Sequence, residues 1–419
     1  MTASEIRALF AVATRPEVVS LAGGMPFTAA LSMDAVGAML QQMMTTRGAA
    51  ALQYGAGQGD RRLRELICGV MALEGISAVP DDVVVTVGSQ QALDLMARVF
   101  LDPGDVVLAE GPSYVGALGT FTAYQANVVH VPMDDDGLVP EGLRQALAAV
   151  AASGKRAKFL YTVPNFHNPA GVTLSVQRRT EILEICQSAE LLVLEDNPYG
   201  LLGFDGEIYP ALRSLAAEGV IYLGSFSKTI APGLRVGWAL APRGVREKLI
   251  LASEAGVLCP PNFTQFAVAD YLSSQPWQDQ VKAFRELYRE RRDAMLGALT
   301  QLMPSCTWTV PKGGFYVWAT LPEGLDAKEM LPRAVAGRVA FVPGSAFFAD
   351  GTGHQHMRLS YCYPTPERIR EGIRRLALVL EEEAELLRTF GPVGHHAAGR
   401  DLLPGHIAPP AAAPRQLPG

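Results

Sequence analysis

The chain has 419 residues, 49% of them hydrophobic and 19% charged, which is enough apolar material for a large core and length enough for more than one domain. A net charge of -6 offers no basic field for nucleic acid, no apolar run reaches the roughly 18 residues of a membrane span, and Glu5 and Arg7 interrupt any secretory signal. Five scattered cysteines without a C-x-x-C pair argue against a disulfide framework or a metal site, so a cytoplasmic protein with neither nucleic-acid nor membrane partners is expected.

Thr2-Ala3-Ser4-Glu5 has capping-box spacing ahead of Ile6, Leu9, Phe10 and Val12, which predicts a short N-terminal helix. An irregular Gly-Pro segment follows at Gly23 to Pro26. From about Asp82, short β-branched runs at 83–87, 106–109, 128–131, 159–163, 191–195, 220–223 and 236–240 alternate with helical patterns. Runs apolar on both faces and separated by helices predict an α/β fold with a mostly parallel central sheet covered on both sides. Beyond about Gln275 the pattern becomes a long charged helix at 277–302, strands near 314–318 and 358–361, and a closing helix at 367–387, which together predict a smaller α+β domain. The expected division is therefore an arm that joins the small domain (1–40), a large domain (41–275), the small C-terminal domain (276–390) and a tail (391–419). That tail is rich in Pro, Ala, Gly and His and is expected to be disordered.

Four turns carry chemistry. Gly88-Ser89-Gln90-Gln91 joins a strand to a helix, so the N–H groups of Ser89 and Gln90 point outward where a phosphate binds readily; an ordinary turn with Ser as cap reads the same way. In Pro164-Asn165-Phe166-His167-Asn168-Pro169-Ala170-Gly171 two prolines and a glycine fix a turn that displays Asn168, whose amide either donates to an aromatic oxygen or carboxylate or bonds its own backbone. His167 reads as structural. Asp196 ends a buried strand, where ligands of open α/β sheets bind, with Tyr199 three residues on. Such an Asp either holds a protonated pyridine nitrogen or caps the next helix. Finally, the 220–223 strand delivers Ser225, Ser227, Lys228 and Arg235 into a glycine-bounded turn, the layout of a phosphate clamp beside a nucleophilic amine. An amine there can condense with an aldehyde as a Schiff base; a surface lysine is the other reading.

Taken in order, together with Arg358 in Arg358-Leu359-Ser360-Tyr361, these motifs resemble the fold type I pyridoxal phosphate-dependent aminotransferases, and the resemblance runs from about Ser4 to Leu387. It implies that Lys228 forms the Schiff base with pyridoxal 5'-phosphate and later moves a proton, that Asp196 pairs the pyridine nitrogen, and that Asn168 and Tyr199 hold the ring oxygen. Ser89, Gln90, Ser225, Ser227 and Arg235 would bind phosphate. Arg358 would fork onto the substrate carboxylate, with Asn168 and Gly24 as further substrate contacts. Tyr114 matches the aromatic that stacks on the cofactor ring, although a loop Tyr also serves packing. Tyr54 matches the tyrosine that reaches the phosphate of a neighbouring subunit, which implies a homodimer with shared active sites. The segment Ser20 to Pro26, preceded by Ile6-Arg7, is most similar to the 2-aminoadipate and kynurenine aminotransferase branch. Arg7 matches an arginine that meets a distal carboxylate, or else lies on a solvated helix face. Asp60-Arg61-Arg62-Leu63-Arg64 departs from the Pro-Leu-Arg common among relatives.

The resemblance thus implies an aminotransferase working between an amino acid, glutamate by default, and a 2-oxo acid. Aromatic or arylglyoxylate-type acids of specialised metabolism, such as antibiotic biosynthesis, are the expected acceptors, with Tyr114 and Tyr361 in the pocket; 2-aminoadipate or broad specificity is the alternative. Two other functions stay open: decarboxylase or lyase chemistry on the same scaffold, and the ligand-sensing domain of a transcription regulator, against which the early start of the sheet pattern argues.

Overall fold

The computed structural model describes residues 15–391; the expected helix carrying Arg7 and the tail beyond Gly391 lie outside them. After β1 (Val19–Ser20), the larger sheet is built from β2 (Val83–Val87), β3 (Val106–Gly111), β4 (Asn127–Asp134), β5 (Gly137–Leu138), β6 (Ala157–Thr162), β7 (Leu192–Asp196), β8 (Val220–Ser225) and β9 (Val236–Leu240). Their order is β2-β9-β8-β7-β6-β3-β4-β5. From β8 across to β4 neighbouring strands run parallel, while β9 is antiparallel to both of its neighbours. Parallel pairs need long crossovers, which helices such as Val115–Ala123, Pro140–Ala152 and Val176–Ser188 supply.

Every residue of β8 and β9 is buried, as uninterrupted apolar runs in a doubly covered sheet require. The strand β4 corrects the expectation of burial on both faces: beside the short edge strand β5, only Val131 of its eight residues is buried.

The remaining strands are β10 (Thr307–Trp308), β11 (Tyr316–Thr320), β12 (Val339–Ala340), β13 (Val342–Pro343) and β14 (His356–Ser360). Four of them form an antiparallel sheet in the order β10-β11-β14-β13, and β12 pairs in parallel with β1. The helices Trp277–Leu302 and Pro366–Phe390 pack together beside them. Two further helices, Met33–Ala51 and Arg61–Ala72, have no counterpart among the sequence expectations, and the first runs across residue 40. It buries only Met43 and Ala51, so its apolar stripe is too thin to announce a helix, and it kinks at Arg47, whose guanidinium reaches Asp270 at 2.5 Å. Among the described residues no helix is long and apolar enough to cross a membrane.

Candidate active site

Because β2, β3, β6, β7 and β8 point the same way, the segments leaving their carboxyl ends meet along one edge of the sheet, where open α/β folds bind ligands. There they line a cleft of about 1010 Å³, closed on its other side by residues of β11, β14 and the loop after β13. Gly24, Ser89, Gln90, Tyr114, Asn168 and Asp196 reach it, as do Tyr199, Ser225, Ser227, Lys228, Arg235 and Arg358. Tyr54 does not: it is 76% exposed and lies away from the cleft. Arg7 falls outside the described residues.

Lys228 follows β8 at the turn expected, and its Nζ donates to the carbonyl of Gly24 at 2.8 Å. Burial, to which the Arg358 and Arg235 cations add while Cys362 and Asp196 oppose, brings its amine down to about 8. Gly24 has to be glycine because a Cβ there would collide with the Tyr316 hydroxyl.

Asp196 closes β7 in a fully enclosed position. Burial pushes its carboxyl up to about 6, against the hydrogen bond that Tyr161 donates to Oδ2 at 2.9 Å and the nearby Lys228 amine. The other oxygen, Oδ1, is buried with no partner among the described residues. A buried acceptor left alone is costly, so this atom is set for a donor that the described residues do not supply. Tyr199 is also buried, packed edge-on to Phe315 and Tyr316, and burial holds its phenol neutral by raising it well above its ordinary range.

Asn168 is fixed from below. His167 accepts at Nδ1 from the Ala170 N–H, so its proton sits on Nε2, which lies 3.0 Å from Glu110 Oε2 without hydrogen-bond geometry. Glu110 in turn accepts from the Thr162 hydroxyl at 2.7 Å and the Val163 N–H at 2.8 Å. This buried set anchors the 164–171 turn and accounts for His167 without chemistry. The displayed Asn168 Oδ1 accepts from Arg358 Nη1 at 2.9 Å, and Arg358 Nη2 donates to Ala22 O at 2.6 Å. The Arg358 guanidinium lies 4.2 Å from the Tyr316 ring centroid and 5.0 Å from that of Phe347, and its Nε is buried without a partner among the described residues.

At the far end, Ser225 and Ser227 face each other at 2.8 Å and Ser89 and Gln90 open the helix Ser89–Phe100, so hydroxyls and free N–H groups converge. Arg235 is exposed, in the left-handed region at φ 52°, and donates to Val87 O at 3.2 Å. Gly88 makes room for it, since a Cβ would collide with its guanidinium. The Gln90 side chain is spent on Thr120 at 2.8 Å and Gly116 O at 3.1 Å, which leaves its backbone N–H for a ligand. Tyr114 stands at the mouth of the cleft, its hydroxyl 3.4 Å from Gln90 and pushed up to about 12 by burial.

Tyr361 corrects the expected pocket: it is fully buried and its hydroxyl donates to Gly313 O at 3.0 Å, away from the cleft. Tyr316 lines the cleft instead. Neither Tyr316 nor Tyr161 stands out in the sequence, because Tyr316 opens β11 and Tyr161 lies within β6, where an aromatic reads as core.

The arrangement fits pyridoxal 5'-phosphate. An enclosed amine, an unpartnered buried carboxylate oxygen and a cluster of hydroxyl and N–H donors are what an aldehyde, a basic ring nitrogen and a phosphate need. Among the described residues no group of His, Cys, Asp and Glu gathers that would hold a metal ion.

The family model for aminotransferase class I and II matches residues 17–376. An aromatic-amino-acid aminotransferase of Thermococcus litoralis is 42% identical over 91% of this chain and 93% of its own. A 2-aminoadipate transaminase of Thermus thermophilus is 38% identical over 90% of this chain and 94% of its own. Among solved structures, a kynurenine aminotransferase of Pyrococcus horikoshii, in complex with PMP, superposes with a TM-score of 0.87 at 40% identity, covering 91% of this chain and 95% of that one.

Proposed function

The chain belongs to the class I and II aminotransferases and is a pyridoxal phosphate-dependent transaminase; from that premise we propose that the residues gathered in the cleft hold the cofactor and pass an amino group between glutamate and an aromatic 2-oxo acid. The observation that carries the assignment of roles is the convergence of Lys228 Nζ, the unpartnered Asp196 Oδ1 and the Arg358 fork from three distant chain segments on one cleft.

When bound, the cofactor supplies an electron sink for the substrate Cα. Lys228 is the residue that would link to it covalently and, once released, take the proton from Cα; an amine titrating near 8 is partly neutral at physiological pH and so able to act as a base. Asp196 would hold the ring nitrogen in its protonated form. Tyr199 and Asn168 would donate to the ring oxygen, while Ser89, Gln90, Ser225, Ser227 and Arg235 would take the phosphate. Tyr114 would cover the ring.

Arg358 would hold the substrate carboxylate. Arg358→Lys keeps the charge and loses the fork, so KM for both the amino acid and the oxo acid is expected to rise roughly 10- to 100-fold with a smaller change in kcat. Steady-state kinetics with an unchanged KM would remove Arg358 from this role.

Aromatic acceptors are favoured by the Tyr114, Tyr316 and Phe348 rings around the cleft, and by the activities for which the Thermococcus and Pyrococcus relatives are named. Lys228, Arg235 and Arg358 are the cations lining the cleft among the described residues, so the distal carboxylate of glutamate needs a further one, and Arg7 is proposed for it. Mixing the holoenzyme with glutamate should release 2-oxoglutarate and neither carbon dioxide nor ammonia; release of either gas-forming product points to decarboxylase or lyase chemistry instead.

We further propose a homodimer. Leu52, Tyr54, Leu251 and Leu258 are 72%, 76%, 59% and 57% exposed. The segment of Leu52 and Tyr54 is tied to that of Leu258 through the bond from Asn262 Nδ2 to Gln53 O at 3.0 Å, so the apolar surface is shared. Sedimentation should give twice the chain mass, and Leu258→Asp should give monomers with most activity lost, because Tyr54 then reaches no neighbouring site. A wild-type monomer with full activity would remove the dimer.

A further inference from the structure

His130 lies on β4, outside the set of residues assigned above, and both of its ring nitrogens are engaged. Nε2 accepts the backbone N–H of Ala349 at 2.8 Å. The ring proton is therefore on Nδ1, 2.9 Å from the carbonyl of Glu110, to which it donates. One imidazole thus ties the end of β3, in the large sheet, to the loop that leaves β13 in the small sheet. The ring also meets Phe348 edge-on at 5.4 Å, and Gly111 admits it, since a Cβ at Gly111 would press on the His130 Cβ.

What the tie holds is the loop Gly344–Ala349, three residues of which, Ala346, Phe348 and Ala349, line the cleft. A second bond crosses at the same place, from the Ser113 N–H to Phe347 O at 2.8 Å. At the second of these points the loop presents the buried Phe347 ring to the Arg358 guanidinium at 5.0 Å. Among the described residues Arg358 has few other constraints, two hydrogen bonds and the Tyr316 ring, and its Nε has no partner there. A guanidinium held against two rings has fewer orientations open to its fork, and a fixed fork is the condition for two parallel bonds to a carboxylate.

We infer that His130 is a positioning residue for substrate carboxylate binding, acting through the Ala349 N–H and the Phe347 ring on Arg358. This rests on Arg358 being the carboxylate holder. The acceptor at Nε2 matters, not the ring as such, because a phenyl group in the same place leaves the Ala349 N–H without its partner while an amide oxygen restores one.

The test compares His130→Phe, His130→Gln, Phe347→Leu and Arg358→Lys by steady-state kinetics of the holoenzyme, with Tm and cofactor affinity measured alongside. His130→Phe is expected to raise KM for the amino acid and the oxo acid alike, about fivefold each, the effect of one neutral hydrogen bond, with kcat nearly unchanged. His130→Gln should return KM close to that of the unaltered protein. Phe347→Leu should reproduce the KM rise, and it stands as the test should His130→Phe not fold. An unchanged KM in His130→Phe or in Phe347→Leu overturns the inference, as does equal behaviour of the Phe and Gln variants or a kcat loss that merely follows a drop in Tm. If Arg358→Lys moves KM and His130→Phe does not, this inference fails and the role of Arg358 stands. If neither moves KM, the role of Arg358 falls first.

Discussion

Replacing Lys228 with Ala is expected to lower kcat at least about 10,000-fold while the protein still folds, because the same amine serves as the covalent anchor and as the group that moves the Cα proton. The fold should survive for an electrostatic reason. In the folded protein the amine titrates near 8, below its free value of about 10.4, so burying it disfavours folding wherever it is protonated, and that cost is fully present below about 8. Ala relieves this cost and loses the bond to Gly24 O and the contact of the amine with the Phe315 ring. The apo variant should therefore melt at or above the temperature of the unaltered protein, and its solution with cofactor should lack the visible absorbance of the covalent complex. A variant that keeps that absorbance, or a tenth of the activity, would take the lysine out of its assigned place.

Asp196→Asn should separate function from stability in the other direction. Burial raises this carboxyl to about 6 against about 3.9 when free, so the unfolded chain releases the proton first and the folded protein loses stability as pH rises from about 4 to 6. At neutral pH the loss is on the order of 2–3 kcal/mol. Asn keeps an oxygen for the Tyr161 hydroxyl and carries no charge, so the apo Tm at pH 7 should rise, and the rise should fade below pH 5. The same change should lower kcat about 1,000-fold, since a neutral amide does not hold a ring nitrogen in its protonated form. Retained kcat would show that the carboxylate is not the partner of that nitrogen. A lower Tm would show that some other contact of Asp196 outweighs its desolvation. Such a pair of opposite effects is the mark of a site where binding chemistry is held at the expense of stability.

Much of the site was legible because its residues stand at strand ends, where short glycine and proline turns fix their neighbours locally. Lys228 after β8, Asp196 at the end of β7 and Asn168 in its proline-bounded turn are read from a few adjacent residues, and each lines the cleft as expected. The helix Trp277–Leu302 was equally plain, since its charged pattern starts after Pro276 and keeps a helical period to its end. What escaped reading depends on distance along the chain. Tyr161 lies 35 residues from Asp196, and a tyrosine in the middle of an apolar strand carries no mark of the acceptor its hydroxyl will find. Tyr316 is marked only by the glycines before it, and its place against Gly24 appears once β1 and the segment after it are laid beside the small sheet. Tyr361 was misplaced for a related reason: alternation along β14 puts Arg358 and Ser360 on one face, and the tyrosine that follows turns inward to Gly313. His130 shows the same limit, since its two partners come from β3 and from a loop that lies more than 200 residues away.

The account turns on one covalent bond at one amine. The purified holoenzyme, treated with borohydride and digested, should give a single pyridoxyl-labelled peptide, and mass spectrometry should place the label on Lys228. A label on another lysine, or a protein that cannot be loaded with the cofactor at all, would contradict it.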